Sequence, residues 1–142
     1  MKFLIAFILS CSLCFGVTDN EKVAAVIIGE AGGEGEIGMQ AVANVIANRK
    51  GTPFEVISKR YQFCAARSVI VDKTETWQQL VDRRKRHPRW GLALEMVEKI
   101  YELPDVTNGA THFHTPAVNP KWAKVLAFKK RIGNHLFYRE GA

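Results

Sequence analysis

Between two apolar runs the chain places Gly29-Glu30-Ala31-Gly32-Gly33-Glu34-Gly35-Glu36, four glycines and three carboxylates in eight residues. Residues 21–28 before it carry Val23, Ala24, Val26, Ile27 and Ile28, dense enough for a buried helix. Glycine ends helices and lets the backbone turn sharply, so the break predicts helix, tight turn, helix. Glu30 then sits at the end of the first helix, facing whatever lies beyond it. A carboxylic acid half buried beside apolar walls has a raised pKa, which suits a general acid at neutral pH. A helix C-terminus followed by a charged surface turn fits the same residues.

The second run, residues 36–49, predicts a helix with Ile37, Ala41, Val45 and Ile46 in an apolar stripe. Gln40, Asn44 and Asn48 recur every four residues beside it, either as a solvated face or as amides that bond a sugar in a groove. Thr52-Pro53 opens a short helix to residue 58, with Thr as cap and Pro at the first helical position. Residues 59–71 read as irregular or extended. Helices follow over 74–86 and from 88 or 89 to 103, where Pro104-Asp105 stops the second. The tail changes character. Residues 110–114, 125–129 and 136–139 are aromatic or β-branched runs between Pro-, Asn- and Gly-containing turns. Helices first and a small β-unit last predict an α+β domain.

The N-terminus pairs Met1-Lys2 with the apolar run Phe3–Leu9 and small residues near Gly16. That is the pattern of a secretory signal over residues 1–16, cut after Gly16, with residues 17–142 as the working domain. The run is short for a membrane span of about 20 residues. Lipidation at Cys11, or an uncut segment tethered to the inner membrane, are the variants of the same reading. Loss of residues 1–16 removes Cys11 and Cys14 and leaves Cys64 as the lone thiol, so no internal disulfide forms. Nearly half the residues are apolar, enough for one compact, monomeric domain without staples.

Of 20 basic and 14 acidic residues the leader takes Lys2 and no acid, leaving a formal charge of +5. Arg83-Arg84-Lys85-Arg86-His87 and Lys129-Lys130-Arg131 are the clusters. In an exported protein they read as weak surface steering towards anionic envelope polymers, with no nucleic acid as partner.

The tail concentrates Thr111, His112, His114, Asn119, Trp122, Asn134, His135 and Tyr138. His112 and His114 would share one face of a strand, and a zinc site would take His135 as its third histidine. No HExxH helix or spaced carboxylate supports a metal, so the expectation is histidines packed among aromatics in a groove wall, without cofactor. Trp122 and Tyr138 stack on sugar rings or fill core.

These residues in this order resemble the SleB-type cell wall hydrolases, the catalytic module of spore-cortex-lytic enzymes. The matching pieces are residues 24–34, residues 38–49 from Gly38 to Asn48-Arg49, Gln62-Phe63, residues 109–114, residues 120–123 and residues 132–138. The resemblance implies a mainly helical lysozyme-like, lytic-transglycosylase-like fold with a small C-terminal β-element around a glycan cleft. It implies cleavage of peptidoglycan between N-acetylmuramic acid and N-acetylglucosamine in the periplasm or cell envelope. The acid of the family's Gly-Glu-Ala-Arg-Gly-Glu type motif falls on Glu30. Glu34, Gln40, Gln62, Thr111, His112, His114, Trp122, Asn134, His135 and Tyr138 are the expected substrate-binding set. Two positions depart: Gly32 stands where the motif has Arg, and Cys64 where Ser usually follows Gln-Phe. Residues 67–87 fit the pattern least.

A glycosidase using water needs a second carboxylate about 5–5.5 Å away for retention or about 6.5–9.5 Å for inversion, and Glu34 and Glu36 are near in sequence. A lytic transglycosylase needs only Glu30, which returns as base to close a 1,6-anhydro ring. Two other classes stay open. Cys64 with His87, His112, His114 or His135 would make a thiol amidase or endopeptidase, although no helix N-terminus is evident around it to activate the thiol. A non-catalytic glycan-binding module is the other. Bacterial wall remodelling and phage lysis (as an endolysin) fit the residues equally.

Overall fold

The computed structural model describes residues 16–141. The leader expected over residues 1–16 therefore lies, apart from Gly16, outside the described residues. Among the latter no helix is long and apolar enough to cross a membrane.

The first helix, α1 (Asp19–Ala31), is the hub of the molecule. Val23 to Ile28 and Ala31 are all buried, and a helix apolar on every side must be wrapped by others. Its wrapping consists of α2 (Gly35–Asn48), α3 (Pro53–Ile57), α5 (Trp77–Arg84), α6 (Trp90–Glu98) and a 3₁₀ turn at Cys64–Ala66. A one-turn helix, α4 (Arg67–Ile70), continues from that 3₁₀ turn. Thr18, Thr52 and Thr76 each open a helix with a capping box, closed by Glu21, Glu55 and Gln79. Each threonine accepts a helix N–H while the third residue reaches back, so these starts are set locally.

Strands β1 (His112–His114), β2 (Ala127–Ile132) and β3 (His135–Arg139) make one antiparallel sheet in the order β1-β3-β2. His112 faces Tyr138, and His114 faces Leu136. Phe137 is fully buried and joins the sheet to Ala41 and Val45 of α2. The architecture is mainly helical α+β, with the β-unit at the C-terminal end as expected.

Several local expectations change. Residues 59–71 are not simply irregular, since they hold the 3₁₀ turn and α4. Helix α6 ends at Glu98, not 103, where Lys99 leaves the helical backbone; the turns after it still carry Ile100 into the core. β2 begins later than expected because a 3₁₀ turn at Lys121–Lys124 leaves Val125 exposed. Ile37, placed in the apolar stripe, is exposed.

The amide ladder of α2 bonds the chain segment that crosses it, while Asn48 stays exposed. Gln40 Nε2 donates to Pro104 O (2.7 Å), and Asn44 Oδ1 accepts from Val106 N–H (3.1 Å). Asn48 Nδ2 donates to Ala110 O (2.9 Å) and to Asp105 Oδ2 (3.0 Å). Amides spaced four residues apart thus button residues 104–110 onto α2.

Candidate active site

Glu30 lies one residue before the end of α1, partly buried. The 3₁₀ turn from the other side of the molecule meets it: Ala65 N–H donates to Glu30 Oε1 at 2.8 Å, and the Cys64 amide points the same way. Amides at the start of a helical turn have no partner within it, so a carboxyl oxygen satisfies them. Burial holds the Glu30 carboxyl above its ordinary pKa; the Ala65 amide, the charge of Arg84 and the Cys64 amide oppose that without reversing it. The outcome is an acid that keeps its proton into a higher pH range than a surface glutamate.

The close approach requires bare backbone. A Cβ on Gly29 would stand 2.5 Å from Ala65 Cβ and 2.9 Å from Arg84 Nη2. Glycine at 29 therefore serves contact rather than turn geometry. The left-handed backbone of the glycine-rich break falls on Gly35, at φ 80°.

Cys64 opens the 3₁₀ turn, so a helical N-terminus does exist here, contrary to the expectation from sequence. Its amides serve Glu30, and the thiol is exposed. Two hollows flank the Phe63-Cys64 segment, with Lys59 on the rim of both. One, about 160 Å³, is walled by Tyr61, Phe63, Cys64 and Ile70. The other, about 520 Å³, is polar and brings Gln62, Thr111 and His112 together with Arg49 and Glu140. Arg49 fixes its floor: Nε donates to Thr111 O (2.7 Å), Nη1 to Gln62 Oε1 (3.0 Å), and the guanidinium covers the Phe63 ring.

The β-unit gathers a second group. The Trp122 ring lies 5.0 Å from His112, 5.5 Å from His114 and 5.4 Å from Tyr138. His114 Nδ1–H donates to Thr115 O at 2.8 Å, which leaves Nε2 to accept the Tyr138 hydroxyl at 3.2 Å. Both nitrogens are thereby engaged within the wall. His112 holds Thr111 Oγ1 through Nδ1, and burial depresses its pKa. His135 is buried at the edge of Phe113 and Phe137, with Nδ1 unpartnered and a depressed pKa from burial. Among the described residues no three His, Cys, Asp or Glu side chains converge on a metal-binding geometry.

Glu34 and Asn134 meet each other instead of forming one wall with Glu30. Glu34 Oε2 accepts from Asn134 N–H at 3.1 Å, pinning the β2–β3 turn to the start of α2. Because its side chain is spent there, Glu34 makes no cap for α2.

Arg49, Lys59, Glu140 and Arg84 were not among the residues expected from sequence. For Arg49 the signal was its place beside Asn48; for Arg84 it lay hidden in a basic run. That run is not a free solvated face: Arg83 pairs with Glu75 (2.6 Å), Lys85 with Glu21 (2.8 Å), and Arg89 Nη1 donates to Gly32 O (2.9 Å).

Fold and site together define a mainly helical α+β domain with a partly buried carboxyl held by a backbone amide, and a polar hollow lined by Arg49, Gln62, Thr111 and His112. The chain belongs to the cell wall hydrolase family, whose sequence profile matches residues 33–138. The matched span begins at Gly33, three residues past Glu30. The catalytic domain of the germination-specific lytic transglycosylase SleB from Bacillus anthracis is similar over 89% of this chain and 98% of its own, at 25% identity and a TM-score of 0.65. The catalytic domain of Bacillus cereus SleB is similar over 87% and 93%, at 25% identity and a TM-score of 0.60. No curated protein matches the chain. The SleB-type resemblance seen in the motifs thus extends to the fold.

Proposed function

We propose that this cell wall hydrolase is an exported lytic transglycosylase cutting the peptidoglycan glycan strand between N-acetylmuramic acid and N-acetylglucosamine. The observation that carries the reading is Glu30, whose Oε1 is held by the Ala65 amide while burial raises its pKa. Such a carboxyl presents a retained proton in a fixed direction. The proton passes to the glycosidic oxygen, and the C1–O bond breaks with its electron pair on the leaving N-acetylglucosamine O4. C1 of muramic acid becomes oxocarbenium-like. The Glu30 carboxylate, stabilised by the two amides and Arg84, then takes the proton of the 6-hydroxyl. O6 closes on C1, giving a 1,6-anhydro end and restoring the acid, with no water consumed.

Water attack would call for a second carboxylate, and Glu34 is occupied at Asn134. Gln62, Thr111 and His112 in the polar hollow, with Trp122, His114 and Tyr138 beside them, supply hydrogen bonds and ring faces for the strand. The leader over residues 1–16 delivers the domain to the periplasm or envelope, with or without an inner-membrane tether.

Mass analysis of products from purified sacculi tests the reading. Muropeptides should each lack one water relative to a hydrolysed product. Reducing termini throughout would overturn transglycosylation, and released stem peptides on intact strands would overturn the glycosidase.

The same digest decides the thiol alternative. Cys64→Ser is expected to retain activity within a few-fold, because Cys64 lends Glu30 its backbone and Ser keeps that backbone. His112 and His114 belong to the sheet cluster, His135 packs against Phe113 and Phe137, and His87 lies against Gly32, so none of the four is engaged with the thiol. Loss of activity in Cys64→Ser of unchanged thermal midpoint would restore the amidase reading.

A further inference from the structure

We infer that Arg84 is the positioning residue of Glu30: its guanidinium, carried in on the end of α5, lies against bare Gly29 and acts on the neighbouring carboxyl by its charge, with no ion pair or hydrogen bond to it. The inference rests on Glu30 as the acid.

Three observations carry it. Arg84 Nη2 and Cζ stand 2.9 and 3.2 Å from where a Gly29 Cβ would be, so the guanidinium lies on the α1 backbone next to Glu30. Arg84 Nε is buried without a partner, while its neighbours Arg83 and Lys85 each pair with an acid of their own. A cation drawn out of water costs free energy that nearby anions offset, and the two anions acting on Arg84 are Glu75, already paired with Arg83, and Glu30. Finally, Gly32, the C-cap three residues after Gly29, is bare against other neighbours, the Ile28 carbonyl and the segment that follows α5. A Cβ there would meet His87 Nε2 at 3.0 Å, and Arg89 holds the Gly32 carbonyl.

Residues 84–89 thus seat against the two glycines on either side of the acid. Position 32 is where the SleB-type motif carries its arginine. Here that space belongs to His87, and the guanidinium comes from a distant helix instead. The least family-like segment, residues 67–87, thereby gains a purpose.

Glu75, just before α5, pairs with Arg83 and also acts on Arg84, but it does not act on Glu30; the other charged groups on the surrounding elements likewise leave Arg84 alone in this role. From the 3₁₀ turn comes Cys64; from the turn after α5 come His87 and Arg89, both at Gly32. On α2, Glu34 binds Asn134, and Glu36 is exposed. On α3, Glu55 closes its own cap; on α6, Glu95 pairs with Lys99 and Glu98 is exposed. Of these only Arg84 exerts its charge on Glu30. When the proton leaves, the cation is already in place and nothing has to reorganise.

The test uses Arg84→Gln and Arg84→Lys, alone and combined with Glu30→Gln, on soluble uncross-linked glycan strands across pH. Arg84→Gln should lower kcat roughly tenfold with KM within about twofold. Its alkaline limb should move up by about one pH unit, since losing the cation lets Glu30 hold its proton longer. Arg84→Lys should recover most of both. On the Glu30→Gln background Arg84→Gln should cost nothing further. An unchanged limb and kcat, a KM effect alone, or an additive loss on that background would each overturn the inference. Arg84→Met, which keeps the aliphatic stem, replaces Arg84→Gln if that variant fails to fold. Full activity in Glu30→Gln alone would instead sink the acid assignment, so the two failures are separable.

Discussion

Glu30→Gln is expected to fold, bind sacculi and lose glycan cleavage by about 10²–10⁴-fold, the usual contribution of a general acid. The amide keeps the shape and an oxygen for the Ala65 N–H, but has no proton to give. It should also be the more stable protein at neutral pH. The folded Glu30 holds its proton above the ordinary value of 4.5, chiefly through burial. Its stabilising contribution is complete below the unfolded value and is lost as pH rises through the folded one, where the buried group must ionise. The variant escapes that cost, so its thermal midpoint should exceed the native one by about 2–5 °C at pH 7. The gap should close below about pH 4.5, where both side chains are neutral. Scanning calorimetry at pH 4 and 7 reads it. Retained cleavage would refute the acid, whereas lost cleavage with normal sacculus binding rules out a mere glycan-binding module. An inert variant with no pH-dependent stability gap would mean that Glu30 is not strained by burial.

What the sequence could disclose followed the range of its interactions. The helix–turn–helix around Glu30 was legible because apolar density, glycine breaks and a nearby carboxylate are all local. The late β-unit was legible for the same reason. Partners from afar were not. Glu30 is held by Ala65, thirty-five residues on, through a backbone amide that every non-proline residue owns, so no residue type betrays it. The 3₁₀ turn carrying that amide read as irregular because its backbone is drawn in by a carboxyl rather than by its own periodicity. Gln40, Asn44 and Asn48 showed helical spacing but not what lay opposite, which is the segment 104–110. Arg84 stood in a run of cations, and a run shows charge without showing burial. Its one local trace was Gly29, an odd residue so close to the end of an otherwise apolar helix.

Gly29 therefore carries the second large expectation. Gly29→Ala should reduce cleavage by about 10²-fold, the usual cost of misplacing a catalytic group by about 1 Å. The new Cβ would stand 2.5 Å from Ala65 Cβ, which is fixed to backbone and has no rotamer to retreat into. The 3₁₀ turn must move, taking the Ala65 amide from Glu30 Oε1, and Arg84 must move with it. Alanine gains about 1 kcal/mol of helix preference over glycine, against about 1–3 kcal/mol for overpacking, so stability should change little or fall modestly. Activity should suffer far more than the thermal midpoint. Gly33→Ala is the control: a Cβ there meets nothing within 4 Å, and the position has no left-handed backbone. It should gain about 0.4–1 kcal/mol by stiffening the unfolded chain, with native activity. Side-by-side assays and thermal melts of the two variants decide. If Gly29→Ala cleaves sacculi as well as Gly33→Ala, the turn at Cys64–Ala66 is not what aims the acid, and Glu30 would have to be positioned by the substrate itself.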